Sequence, residues 1–219
     1  MIPIDQTERC FKSYRWDGKH YLFGYEADTH PTFAWIRSLE ERFKFIRDNP
    51  DLLQDDAPVF LIREMIKWGA SKKRDISPKF DDYIGTYCLA DKLRKVIKSL
   101  DSVEKAIGAA LDIPGLGPTY ASKLLRFLKP SMYGALDGQI KDVLLDEIKE
   151  RVIQNNGKKS DNKDQYVAFI SMLTEHQEKL LAEKQLNLSI AEIEMALFQW
   201  AAEQKELKKE AARQEKGRE

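Results

Sequence analysis

Apolar residues recur at steps of three and four along most of this chain, and an alternating pattern shows only near its start. There Phe11, Tyr14, Trp16, Tyr21, Phe23 and Tyr25 surround Asp17-Gly18, a dipeptide that favours a two-residue turn between strands. The pattern predicts a β-hairpin over residues 10 to 25, with an irregular aromatic lead-in to the first helix as the alternative reading. From Thr32 the spacing is helical: Phe33, Ile36, Leu39, Phe43 and Ile46 recur until Asn49-Pro50 stops them. Helices are expected next at about 58 to 68, closed by Gly69, at 82 to 99, and at 102 to 111 behind a capping Ser102. Two more follow at about 138 to 154 and 162 to 184, separated by the polar run 154–161. The last begins near Ser189 and shows Ile190, Ile193, Leu197 and Trp200 on one face. Residues 206–219 have almost nothing to bury and read as a charged, solvated helical tail. The fold class is therefore mainly α, with a small N-terminal β-hairpin at most.

Composition sharpens this picture through charge. Lys+Arg and Asp+Glu both number 36, which excludes a uniformly basic nucleic-acid coat and an acidic disordered chain. The balance is uneven along the chain: from Phe60 to Ser160 there are 19 basic and 13 acidic residues, a net of +6 that the flanks cancel. With 42% apolar residues in 219, there is enough material for one large domain or two small ones. Cys10 and Cys88 are too few for a disulfide framework, a cysteine zinc site or a four-cysteine iron–sulfur cluster, so no metal and no cofactor is expected. The start has no leader pattern and no run approaches the ~20 apolar residues that span a bilayer, so a soluble, cytoplasmic protein with no membrane partner is expected.

The most informative stretch is 111–128, Leu-Asp-Ile-Pro-Gly-Leu-Gly-Pro-Thr-Tyr-Ala-Ser-Lys-Leu-Leu-Arg-Phe-Leu. An apolar helix end meets Pro-Gly-x-Gly, and a new helix starts at once with Pro118 where a missing N–H costs little. Gly115 and Gly117 let the backbone turn tightly, and the N–H groups opening the second helix point toward an anion. An ordinary tight corner between helices is the plain alternative. Lys123 and Arg126 on the following helix read as phosphate contacts, or else as a solvated face.

A second motif stands downstream, Ala135-Leu-Asp-Gly-Gln-Ile-Lys-Asp-Val-Leu144, with Asp137 twenty residues after Gly117. Hairpin and aspartate at this spacing resemble the helix-hairpin-helix superfamily of DNA glycosylases, the group of endonuclease III, 8-oxoguanine glycosylase and the adenine-specific mismatch glycosylase. The Asp-Gly-Gln-Ile run is most similar to the adenine-specific branch. The resemblance covers about residues 111–145 and comes without the iron–sulfur motif. It implies a helical glycosylase-like fold over residues 1–219. In it, residues 58–145 form a barrel carrying the hairpin and the Asp137 loop, residues 1–57 and 146–205 pack against it, and 206–219 form the tail. It further implies a monomer that acts on double-stranded DNA in base excision.

The chemistry suits these residues. Cutting an N-glycosidic bond builds positive charge on the sugar, and a carboxylate at Asp137 would stabilise it or direct a water to it. Asp137 also suits a helix N-cap, and both roles can coexist. The superfamily's bifunctional members have a lysine where this chain has Thr119, which implies a monofunctional, hydrolytic enzyme. Lys123, one turn further on, is a displaced nucleophile or a phosphate contact, the second being the expectation. Glu64, in Arg63-Glu-Met-Ile, is similar to the branch's proton-donating glutamate, against the alternative of an exposed helix glutamate. A flipped base needs apolar or aromatic walls, for which Trp68, Tyr120 and Tyr133 are candidates, each equally a core residue. Lys72, Lys73 and Arg74 make a loop suited to phosphates. Three other readings compete: a hairpin module that binds DNA without chemistry, a helical interaction scaffold, and a defence enzyme acting on modified phage bases. The base itself is not legible.

Overall fold

A computed structural model describes residues 1–14, 31–54, 57–69, 76–156 and 161–216 and builds them into ten α-helices, with no strand among the described residues. In chain order they are α1 (Ile4–Ser13), α2 (Pro31–Asp48), α3 (Ala57–Gly69), α4 (Ser77–Asp81), α5 (Leu89–Lys98), α6 (Val103–Leu111), α7 (Pro118–Leu128), α8 (Gly138–Asn156), α9 (Asn162–Lys184) and α10 (Ile190–Lys216). A 3-10 turn at Pro50–Leu52 follows α2, where proline forbids continuation.

Caps explain several boundaries. Ser102 accepts the N–H of Lys105 at 3.4 Å and opens α6, and Asp161 accepts that of Asp164 at 2.8 Å to open α9. α10 begins with a reciprocal box, Ser189 N–H to Glu192 Oε2 at 2.8 Å and Glu192 N–H to Ser189 Oγ at 3.3 Å.

The interior is organised around α7, in which every side chain from Tyr120 to Leu128 is buried. α2, α3 and α6 pack on it, while α8, α9 and α10 form a second group that α1 joins by lying along α10. Aromatic stacking marks the centre: the Phe43 and Phe127 rings stack at 5.5 Å and Trp68 meets Phe127 edge-on at 5.0 Å. Burying such a ring contributes about 1.5–3 kcal/mol, so α7 anchors its neighbours by apolar area.

Two expectations change. Residues 10–13, expected as the first hairpin strand, are the last turn of α1, with Cys10 and Thr7 facing inward and Tyr14 turned edge-on to Phe198 at 5.9 Å. The Asp17-Gly18 turn lies outside the described residues. The helix expected from 82 begins only at Leu89; residues 82–87 are turns around Gly85, whose φ of +88° favours glycine. The charged tail is helical to Lys216 and exposed from Lys205 to Glu215, as its composition requires.

Candidate active site

The turn between α6 and α7 is fixed from within. Gly115 has φ +85°, and a Cβ there would lie 2.8 Å from the Phe80 Cα, so both conformation and space demand glycine. The Tyr87 hydroxyl donates to the Pro114 carbonyl at 3.3 Å. Gly117 is different: its φ is −78°, a Cβ would meet nothing within 4 Å, and it is exposed. No side chain caps α7, and no acidic residue occupies its first turn. Pro118 has no N–H, and those of Tyr120 and Ala121 donate to the Gly117 carbonyl at 3.0 and 2.9 Å, which leaves the Thr119 N–H as the donor at this helix end.

One hydroxyl ties this hairpin to the second motif. Ser122 Oγ donates to the Thr119 carbonyl at 2.8 Å and accepts the Leu136 N–H at 3.0 Å, which docks the residue before Asp137 onto α7. The loop is held further by Tyr166, whose hydroxyl donates to the Gly134 carbonyl at 2.9 Å. Asp137 then caps α8, its Oδ1 accepting the N–H groups of Gln139 at 2.9 Å and Ile140 at 3.0 Å. Both bonds fall on Oδ1, so Oδ2 of this half-buried carboxylate is the oxygen left for a ligand.

Lys123 lies in the same place and is buried. Its Nζ is 3.3 Å from the Gly69 carbonyl, 5.1 Å from the Trp68 ring centre and 5.2 Å from that of Tyr120. A Cβ on Gly69 would come within 2.5 Å of that Nζ, so the glycine makes the slot the ammonium occupies. Burial pushes the ammonium below its ordinary range, while Asp137 and then Glu194 pull it back up. Lys141, one turn into α8, is lowered by burial and raised by the same Asp137.

Arg126 and Glu194 complete the cluster. Arg126 is fully buried, its Nη1 2.7 Å from Glu40 Oε1 and its Nε 3.7 Å from Glu194 Oε2, approaches that pair charge without hydrogen-bond alignment. Burial raises the Glu194 carboxyl to about 8 against the pull of Arg126. Tyr14, at the end of α1, senses the same charges, its phenol raised by burial and then by Glu194. The helices α1, α7 and α10 and the start of α8 therefore bring lysine, arginine, two carboxylates and a tyrosine into one low-dielectric region walled by Trp68 and Tyr120.

Asp137, Lys123, Tyr120 and Trp68, singled out in the sequence, lie near one another, and Lys123, Tyr120 and Trp68 are buried. The sequence assigned Lys123 and Arg126 to phosphates, and burial removes both from any surface role. Tyr133 is core and not pocket: it is fully buried and donates to the Leu100 carbonyl at 2.7 Å. Glu64 lies partly buried on α3, where it pairs with Arg42 of α2 at 2.5 Å. Lys72, Lys73 and Arg74 lie outside the described residues. Glu194, Tyr14 and Glu40 were missed. The signal for the first was a lone Glu194 inside Ile193-Glu-Met-Ala-Leu197, a charge with apolar neighbours on every side.

Among the described residues no group of three or more histidine, cysteine or acidic side chains could hold a metal, and no helix is long and apolar enough to cross a membrane. Comparison with protein-family models, with curated proteins and with solved structures finds no match to this chain.

Proposed function

We propose that this protein is a DNA N-glycosylase that captures a flipped base against Trp68 and Tyr120 and breaks its glycosidic bond beside Asp137. The observation that carries the reading is the Ser122 bridge, which holds the Asp137 loop on the helix that bears Lys123 and opens at the uncapped hairpin. The Thr119 N–H at the start of α7 suits a backbone phosphate, and the aromatic pair suits a base taken out of the stack. As the C–N bond breaks, its electron pair leaves with the base and positive charge grows on the sugar. Asp137 Oδ2 stabilises that charge while a water adds at the anomeric carbon and its proton passes to the departing base, leaving an abasic site and the free neutral base.

A second reading is favoured by the burial of Lys123. A lysine depressed by burial and held by Gly69 is a better amine nucleophile than a solvated one. In that reading Nζ forms the new bond to the sugar as the base departs, and strand cleavage follows through an iminium. Oligonucleotides carrying single damaged, mismatched or modified bases, incubated with the protein and then treated with alkali, test the first reading; breaks at one base class are expected. Borohydride separates the two. A trapped adduct lost in Lys123→Ala establishes the amine route, and alkali-dependent breaks without an adduct establish hydrolysis. Absence of breaks on every substrate, including phage DNA with modified bases, refutes both.

A further inference from the structure

Among the described residues the buried side chains of Lys, Arg, His, Asp or Glu type are Lys123, Arg126, His176 and Glu194, so Glu194 is the carboxyl group of the interior. It sits where α10 presses on the loop that carries Asp137. A Cβ on Gly134 would lie 2.9 Å from the Glu194 Cβ, and Glu194 takes a hydrogen bond from the Ala135 N–H. One turn further along α10, the Phe198 carbonyl accepts Gln139 Nε2 at 3.0 Å. α10 thus grips the chain on both sides of Asp137.

The charges around Glu194 come from every helix packed there: Arg126 and Lys123 from α7, Asp137 at the start of α8, Tyr14 from α1 and Tyr166 from α9. Arg126 is already matched by Glu40. With all groups ionised, two cations would face three carboxylates, and Glu194 Oε2 would be an anionic oxygen with no hydrogen-bond partner in the interior. A proton on Glu194 removes that charge and brings the cluster to neutrality.

We propose that Glu194 is a positioning residue of the Asp137 site that works as a neutral carboxylic acid, fixing the Ala135 side of the loop and leaving Asp137 as the anion that faces the sugar. The proposal rests on the base-excision reading for its role and on the packing of α10 for its place. Burial, opposed by Arg126 and Lys123 and aided by Asp137, raises the Glu194 carboxyl to about 8, so ionisation above that pH adds a second anion and loosens the loop.

Two variants test it through the pH dependence of kcat/KM and of Tm. Glu194→Gln has the same volume, stays neutral and keeps an acceptor for Ala135. It should work within about threefold of the parent at neutral pH and lose the parent's alkaline fall. Glu194→Asp should keep that fall and lose activity at every pH, because the shortened acid withdraws from the loop. For stability, the unfolded carboxyl ionises near 4.5 while the folded one keeps its proton to about 8. The parent's Tm relative to Glu194→Gln should therefore drop as pH rises through that window and then level off. A flat Tm difference, an unchanged alkaline fall in Glu194→Gln, or loss of its activity at all pH overturns the proposal. If the parent excises no base, the base-excision reading falls, and the slope of the Tm difference still decides whether Glu194 is neutral.

Discussion

The slot that holds Lys123 can be closed by one methyl group. In Gly69→Ala the new Cβ would stand 2.5 Å from Lys123 Nζ, 2.9 Å from its Cδ and 3.1 Å from Tyr120 Cε1. The ammonium must leave, giving up the Gly69 carbonyl at 3.3 Å and the faces of Trp68 and Tyr120. A hydrogen bond from a charged donor contributes about 1.5–3 kcal/mol. Cation–π attraction to the rings adds about 0.5–2 kcal/mol. Against this, alanine in a helix is favoured over glycine by about 0.5–1 kcal/mol. The net expectation is a loss of about 1–4.5 kcal/mol, opposite in sign to the gain an unconstrained helix-end glycine would give. Equilibrium urea unfolding of Gly69→Ala, Lys123→Ala and the double variant measures this as a cycle. Lys123→Ala removes the two nearest atoms, so the second substitution should cost little in that background, and the coupling should reach about 2 kcal/mol. Gly69→Ala as stable as the parent, or a cycle additive to within about 0.5 kcal/mol, would refute the slot.

Asp137→Asn should leave stability within about 1 kcal/mol, because asparagine caps a helix as well as aspartate, while base release falls roughly 10²–10³-fold with DNA binding intact. Parallel unfolding and alkali-cleavage assays separate the cap from the chemistry. In the hairpin, Gly115→Ala should cost about 1–3 kcal/mol for its positive φ and its clash with Phe80, whereas Gly117→Ala should be neutral in unfolding and weaken DNA binding. His176, buried and bonded to Thr7 Oγ1 at 2.9 Å, is lowered by burial to about 4. The unfolded imidazole takes a proton near 6.5 and the folded one resists to about 4, so stability should fall as pH drops through that window, and a Tm series on His176→Gln should lose that slope. Replacing Lys72, Lys73 and Arg74 together by alanine should lower the salt slope of DNA affinity by about one for each phosphate these side chains neutralise, and an unchanged slope removes these residues from the interface.

What the sequence made legible was local. Pro114, Gly115, Gly117 and Pro118 act on their own backbone, and Asp137 caps the helix it precedes, so both motifs could be read from neighbours alone. Helical spacing likewise found α2, α3 and α6 through α10. The end of α1 was misread because the aromatics from Phe11 to Tyr25 gather around the turn-forming Asp17-Gly18, and what settles residues 10–13 is packing on α10, far away in the chain. The same gap hid the true setting of Lys123 and Arg126. A charge on a helix reads as solvated unless the helix is buried on all sides, and that property of α7 depends on α2, α3 and α6 arriving around it. Glu194 reaches the Gly134 and Ala135 backbone only through the packing of α10 on that loop.

The pairing of α1 with α10 has a consequence in time. Arg9 forms a two-pronged pair with Glu203, at 3.1 and 2.8 Å, across a separation of 194 residues. Tyr14, Glu194 and Asp137 meet only when that long loop has closed, and such closure is slow because chain entropy is spent before packing returns it. During synthesis the hairpin and α7 can form while α1 waits for its partner, so the cluster of Tyr14, Glu194 and Asp137 is assembled last. A ribosome-bound chain halted before residue 190 would expose the Ala135–Asp137 loop without the helix that grips it. The first helix is thus among the last to find its place, and the surroundings of Asp137 are completed by the end of the chain.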